Sequence, residues 1–552
     1  MSYAQDITKN LGSIVDSMGS DSFRKQYPGA DANRRSLGVI LDEFSMQCFS
    51  PEADLWPISV RDLEMALDEL KPELMLIESA WSGNDGDWTY QITSPTGPKP
   101  AFYRLIEACR QRSIPTVFWN KEDPPHFEEF LSAAKAADHI FTCEQSLIES
   151  YAKASGHNNV DTLRFAAQPR IHTPFRSDES RQGNVAFAGQ YFAHKFPERR
   201  EQMDMLFPAA SQLGLSIYSR VVGGDPNYAF PSKYERHIVG SLPYSAMVQA
   251  YGHHKVFLNV NSVPNSESMC ARRIFELSAS KTAVVSAATP AISSSYAADE
   301  VFTVDSDKAA REILRTLVEN DDFRERATHR AWRRTLKEHT YTNRLQEILT
   351  KLDRPAPVAD TSVTALCLAT TQDSLKRLAC QIREQVLQPS LVVVANLRGG
   401  LFDDKFNITD IEALIGCKLV QIDNLDRISD LNLGGEFFTI FSERYDYAPN
   451  YISDMHLYMK HLSTVDIVAK GTTGDVVKSP QDYMGKSWPE DTMTTDIVAG
   501  GWMAPRGSDW RELLVHEASR PETVCSLSRR VHVSDRFNIR KYSEQNSSSW
   551  IA

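Results

Sequence analysis

The chain has no CxxC pair and no Cys/His cluster. Its eight cysteines stand singly, at Cys48, Cys109, Cys143, Cys270, Cys367, Cys380, Cys417 and Cys525. That scatter excludes the usual ligand sets of a structural zinc site and fits free cytosolic thiols. No apolar run approaches the ~20 residues needed for a membrane-crossing helix. The start, MSYAQDITKNLGSIVDSMGSDSFRKQY, is polar and has no signal-peptide core. A cytoplasmic location is therefore expected. Positive charge is not in excess either: 60 Lys and Arg face 72 Asp and Glu, for a formal net charge of -12. That excludes a whole-molecule nucleic-acid clamp, while local basic patches for phosphates stay open.

With 552 residues, the chain is too long for one core. About three or four domains are expected at ~100–200 residues each. After a polar, partly helical lead-in (1–35), buried strands alternate with amphipathic helices: SLGVILDEF, ELMLIES, PTVFWN and HIFTCE. Continuous apolar strands between helices indicate a doubly wound parallel sheet, expected over 36–175. Ligands of such sheets bind beyond the carboxyl ends of the strands. That rule puts Asp42, Glu78, Trp81 and the NKEDPPH segment on the functional rim. RIHTPFRSDESRQG, from Arg170 to Gly183, reads as a linker. A second such unit is expected over 183–352, with strands NVAFAG, LSIYSR, HIVGSL, VFLNVN, AVVSA and VFTVD. A second linker, PAPVAD, leads to a third α/β onset over 361–552. Two Rossmann-like units joined by a linker make a two-lobed enzyme with a cleft between the lobes.

LNVNSVPNSESMCARRIFELSASKTAVVS is the most informative stretch. Its loop holds Asn259, Asn261, Ser262, Asn265, Ser266 and Ser268, and a helix is expected from about Met269 to Ala279. A helix N-terminus offers free N–H groups to a phosphate. Arg272 and Arg273 add guanidinium forks suited to a diphosphate. Glu276, one turn beyond Arg272, suits ribose hydroxyls. An ordinary capped helix with an Arg–Glu pair fits the same spacing.

In the first lobe, ESAWSGNDGDW and FWNKEDPPHF follow strands and mix carboxylates, aromatics and turn residues. Trp81 and Trp88 are candidates for stacking on sugar faces. Glu78, Asp123 and His126 are the candidate catalytic groups, as acids, bases or orienting side chains. Plain turn chemistry is the competing reading. His253 and His254 read as the cap of a surface helix rather than as metal ligands. HRAWRRTLKEH and the helix LKEHTYTNRLQEILTKL read as a solvated face, with attraction to anionic lipid as the alternative.

DEFSMQCF, ESAWSGNDGDW, IPTVFWNKEDPPHF, FAAQPRIHTP, FAGQYF, PERREQM and LNVNSVPNSESMCARRIFELSASKTAVVSA stand in order from about Ser36 to Leu349. Together they resemble the CgeB-like (spore-maturation-protein-like) glycosyltransferases. The resemblance implies a GT-B fold, a sugar nucleotide held mainly by the second lobe, acceptor contacts from the first, and no obligatory metal or other cofactor. Gly189 and Tyr191 match that family's glycine-rich turn, and Arg220 matches an arginine ending the next strand. Arg272, Arg273 and Glu276 match its RRxFE helix. The two glutamates that retaining GT-B enzymes carry eight apart are not reproduced: Glu267 and Glu276 are nine apart, and Ser268 holds the first position.

LCLATTQDSLKRL, SLVVVANLRGG, YDYAPNYISDMHLYMKHLSTVDIVAKG, DIVAGGWMAPR and RVHVSDRFNIRKY make the rear block resemble family-2-like GT-A glycosyltransferases. Active relatives carry an aspartate run before YxPNY, where this chain has Ser442, Glu443, Arg444 and Tyr445. Their later acidic pair reads Pro521-Glu522. A cation at Arg444 opposes a divalent metal, so the rear module is expected to be degenerate.

The expected function is metal-independent transfer of a hexosyl or N-acetylhexosaminyl group from a nucleotide-diphosphate sugar, with UDP as the expected nucleotide, to a carbohydrate or lipid-linked glycan. Cell-surface polysaccharide biosynthesis is the expected setting. Asn259, Asn261 and Ser268 would join the donor site. The alternatives are a noncatalytic glycan-binding scaffold and a bifunctional polymerase with both halves active. Donor hydrolysis or transfer by the purified protein separates them. Homodimerisation and peripheral attachment to the inner face of the plasma membrane remain open.

Overall fold

A computed structural model describes residues 34–174, 181–221 and 225–355, then 362–395, 408–416, 418–422, 435–461, 467–470, 492–498, 501–505, 513–514, 518, 524–533 and 537–542. The polar lead-in up to residue 33, the linker segments 175–180 and 356–361, and the Pro521-Glu522 pair lie outside the described residues. The chain forms two compact units that divide at Ala356 and Pro357.

The front unit contains two sheets. The first orders its strands β2-β1-β3-β4-β5-β6, with β1 Arg35–Ile40, β2 Ala53–Pro57, β3 Leu74–Glu78, β4 Thr116–Asn120, β5 His139–Thr142 and β6 Val160–Thr162. All its pairings are parallel. LMLIE and TVFWN are buried along their whole length, as expected for parallel strands covered by helices on both faces. β2 and β6 escape the sequence reading because they are short edge strands carrying exposed or half-exposed residues.

The second sheet, β12-β11-β10-β7-β8-β9, is likewise parallel throughout. It comprises β7 Gly183–Gly189, β8 Leu215–Ser219, β9 Ile238–Gly240, β10 His254–Asn259, β11 Ala283–Ala287 and β12 Phe302–Val304. The expected α/β class with two Rossmann-like lobes is the one observed. Each sheet reverses its strand order once, between β1 and β3 and between β7 and β10. Those are the points where loops diverge and leave a crevice at the carboxyl ends.

Two helices correct the reading of the basic stretch as a solvated face. Helix Asp321–Glu338 buries Ala327, His329, Ala331, Trp332 and Thr335. Its arginines are engaged as well: Arg330 pairs with Asp299 at 2.9 Å, and Arg334 with Glu300 at 2.5 Å. Helix Tyr341–Lys351 then returns to the first lobe. Its Tyr341, Leu345, Ile348 and Leu349 pack with Leu37, Val39, Phe49 and Trp119. Spacing revealed these apolar stripes only as amphipathicity. His254 is corrected too: it is buried beneath Tyr218, whose hydroxyl lies 2.9 Å from Nε2. Gly183 makes room for it, since a Cβ there would sit 2.1 Å from His254 Nδ1. Burial pushes the His254 pKa down to about 3.

The rear unit holds a mixed sheet, β15-β14-β13-β16-β20-β18-β21-β19. Its parallel part is β13 Val363–Leu368, β14 Leu391–Ala395, β15 Lys418–Ile422 and β16 Phe437–Ser442. The remainder is β18 Ile467–Ala469, β19 Thr492–Val498, β20 Trp502–Pro505 and β21 Val524–Val533, joined by parallel and antiparallel pairings, while β17 Tyr445–Tyr447 and β22 Ile539–Lys541 form a separate antiparallel pair. Among the described residues, no helix is long and apolar enough to cross a membrane.

Candidate active site

At the second lobe's reversal point, β7 ends at Gly189 and β10 at Asn259. Gly189 accepts from the Arg220 backbone N–H at 3.3 Å, and a Cβ on it would press within 2.9 Å of the Phe187 ring. Tyr191 packs its ring 5.7 Å from Phe230. Asn259 and Asn261 turn inward. Asn259 Nδ2 donates to Asn261 Oδ1 (2.9 Å) and Ser286 Oγ (3.0 Å), while Asn261 Nδ2 reaches the Ala287 carbonyl (3.1 Å) and its N–H reaches Gln202 (2.7 Å). Their amides brace the loop from beneath. Ser268 is also buried. It accepts from the Gln145 N–H (2.7 Å) and donates to the Cys143 carbonyl (2.9 Å), so it joins the second lobe to the first.

The helix expected from about Met269 starts at Arg273. Ser266 Oγ captures the N–H of Ser268 (3.2 Å) and of Met269 (2.7 Å), a side-chain turn that replaces the first helical turn. The late start brings Arg272 and Arg273 to the loop's exit. Arg273 Nη1 donates to the Ala188 carbonyl at 2.5 Å. Arg272 lies 3.6 Å above the Phe44 ring and 4.9 Å from that of Tyr244, a cation–π stack reaching across the lobes. Its Nη1 stands 3.4 Å from Glu276 Oε1.

Glu276 is fully enclosed. Oε2 accepts from Tyr251 (2.6 Å) and Oε1 from Tyr244 (3.2 Å), with His172 Nε2 3.9 Å away. Arg272 is the chief influence lowering its pKa against the opposing effect of burial. Glu276 therefore tethers Arg272, and both its oxygens are engaged by tyrosine hydroxyls.

Two further arginines join this corner. Arg220 follows β8, and its side chain makes no hydrogen bond or ion pair among the described residues. Arg199 lies in the first turn of helix Pro197–Gln212. Its Nη1 donates to Ser262 Oγ at 3.1 Å, and its buried Nε has no hydrogen-bond partner among the described residues. Burial, then the charges of Arg273 and Arg220, push the Arg199 pKa down to about 10. Arg220 is lowered by burial and by Arg273 and Arg272. Gathering like charges in a partly dry crevice is unfavourable unless an anion completes it. Arg199 was not among the site residues read from the sequence. The PERR step after the glycine turn held the signal, but nothing local linked it to a helix start more than seventy residues later.

In the first lobe, Asp123 is enclosed: it accepts from Asn120 Nδ2 (2.8 Å), Thr142 Oγ1 (2.6 Å) and Tyr151 (3.0 Å). Burial raises its pKa to about 7. Glu78 is equally enclosed, with Lys121 Nζ 2.9 Å away, and burial lifts its pKa to about 7 as well. His126 is partly open, pairs with Glu129 at 3.2 Å and meets the Trp81 ring edge-on at 5.3 Å. Trp81 is 38% exposed, whereas Trp88 is fully buried with Nε1 donating to the Ile58 carbonyl at 2.7 Å. Trp88 is therefore a core residue, contrary to the stacking role expected of it.

Residues 199–350 match the family model described as Glycosyl transferase-like, a stretch that contains Arg199, Arg220, Arg272, Arg273 and Glu276. No curated protein matches the chain. Among solved structures, it is similar to Anabaena HepE in complex with UDP and glucose, at 14% identity over 57% of this chain and 91% of that one, TM-score 0.39. A glycosyltransferase from Rickettsia africae is similar at 10% identity over 58% and 97%, TM-score 0.39. A sucrose-phosphate synthase from Thermosynechococcus elongatus is similar at 12% identity over 53% and 76%, TM-score 0.34.

Proposed function

We propose that the protein is a glycosyltransferase that takes a sugar from a nucleotide-diphosphate donor bound at the second lobe's crevice. The observation that carries this reading is the gathering of Arg199, Arg220, Arg272 and Arg273 at the strand ends β7, β8 and β10, with one enclosed carboxylate, Glu276, among them. As the glycosidic bond breaks, the leaving diphosphate gains charge, and preplaced guanidinium groups stabilise that charge where it develops. On this reading no divalent metal is needed. The acceptor is a carbohydrate or glycoconjugate hydroxyl held by the first lobe, and the front unit is of the CgeB-like kind. The rear unit is a GT-A-like module without catalysis of its own.

The test is binding of UDP, GDP and ADP against their nucleosides by calorimetry, with and without EDTA. A diphosphate preferred at least ~30-fold over its nucleoside, unchanged in chelator, is the expected result. A protein that binds none of the three diphosphates refutes the reading.

A further inference from the structure

Resting on the donor reading above, we infer that Asp42 is the first lobe's sugar-binding carboxylate, accepting a hydrogen bond from a sugar hydroxyl in the crevice, with Lys121 and Glu78 as its positioning residues. Asp42 follows β1 and Glu78 ends β3, so the two stand side by side at the first sheet's reversal point. Lys121, just beyond β4, binds both: its Nζ lies against Asp42 Oδ2 and 2.9 Å from Glu78 Oε1. The same Glu78 oxygen accepts the Asp42 backbone N–H. Glu78 Oε2 is buried with no hydrogen-bond partner among the described residues. Buried charges are expected to be paired and satisfied. Here one buried lysine serves two carboxylates and holds the outer one at the surface.

Of Asp42, Glu78 and Asp123, Asp42 alone is open: its side chain is 38% exposed, whereas the other two are enclosed. It also faces the donor side. Phe44, two residues on, carries the Arg272 guanidinium on its ring, and the Arg272 charge is felt at Asp42. Asp42 therefore stands close to one of the arginines assigned to the diphosphate. Lys121 and Ser45 hold Asp42 below the usual carboxylate range, outweighing burial. An ionised, half-open carboxylate is a strong acceptor for a hydroxyl.

Asp42 also caps helix Glu43–Phe49 through Oδ1, which accepts the Ser45 N–H at 2.8 Å. Asp42→Asn and Asp42→Ser both keep a good cap, so the fold survives while the charge is lost. The experiment measures transfer, donor hydrolysis and diphosphate affinity in both variants, using a panel of UDP-, GDP- and ADP-hexoses, with melting temperatures alongside. Diphosphate affinity is expected to stay within about twofold of the parent, and kcat/KM for transfer to fall roughly 30-fold or more. Loss of hydrolysis together with transfer places the donor sugar on Asp42, and loss of transfer alone places the acceptor there. Asp42→Glu should restore part of the rate, which a purely structural role does not predict. Unchanged transfer and hydrolysis in folded variants overturn the assignment of Asp42 and leave the arginine site standing. A parent protein that binds no diphosphate overturns both.

Discussion

The second lobe and the rear unit share a topological feature and resolve it in opposite ways. In each, a run of parallel strands reverses its order, at β7/β10 and at β13/β16, and such reversals open a crevice at the carboxyl ends. In the second lobe, Arg199, Arg220, Arg272 and Arg273 meet there; Glu276 answers Arg272, while burial and the neighbouring positive charges lower the pKa values of Arg199 and Arg220. In the rear unit, the carboxylate at that point is already spent. Glu443, just after β16, accepts from the Thr370 N–H, Thr370 Oγ1 and Ser374 Oγ, each at 2.7 Å. Those hydrogen bonds lower its pKa against burial. Arg377 secures the same corner through the Glu443 carbonyl (2.5 Å) and Asp446 (2.7 Å). A strand reversal makes a crevice. Charge that the protein itself leaves unanswered is what makes the crevice a candidate site.

The comparison is tested most sharply by Arg273→Ala. Removing a guanidinium from an anion site forfeits charge-assisted hydrogen bonds worth ~2–4 kcal/mol, or roughly 30- to 1,000-fold in affinity for a nucleoside diphosphate. Nucleoside affinity should not change. Calorimetry with UDP and uridine reads both, and equal UDP affinity in mutant and parent would remove Arg273 from the phosphate site.

Asp123→Asn comes next, at about 2 kcal/mol, and asks whether the first lobe's enclosed carboxyl is structural. Its folded pKa, near 7, lies above the ordinary value near 4, so the folded state holds the proton more tightly. The stability it contributes is complete below about pH 4 and is lost as pH rises through 7. The amide carries no such dependence. Denaturant melts from pH 4 to 8 should show a smaller decline for Asp123→Asn than for the parent, and parallel curves would contradict the enclosed-carboxyl reading.

The smallest effect is expected from Glu443→Ala. Losing three hydrogen bonds to a half-buried carboxylate should cost the rear unit about 1–2 kcal/mol while transfer stays within about twofold. Loss of transfer in a folded Glu443→Ala protein would instead make the rear unit the enzyme.

Much of the architecture was legible from local pattern. Runs such as LMLIE and TVFWN announce fully buried parallel strands, and the RRIFE step announces cations and a carboxylate within one turn. The failures share a cause. Trp88 and Trp81 sit in one loop, yet one is a core residue and the other lies on the rim. Helix Tyr341–Lys351 shows an amphipathic face whose partner, the first sheet, lies some three hundred residues earlier in the chain. Ser268 looks like part of a phosphate loop and instead binds the first lobe.

The sequence by itself determined most of the strands and helices, the class of fold, and the chemistry within reach of the Arg272–Glu276 turn, because these depend on neighbours within a few residues. Tertiary structure alone decided that Arg199 joins that turn and that Lys121 binds Asp42 and Glu78. It also decided that, of the three first-lobe carboxylates, Asp42 is the one left open. Burial and charge pairing belong to groups brought together from 43 and 79 residues apart, and no local pattern encodes which of them the folded chain will enclose.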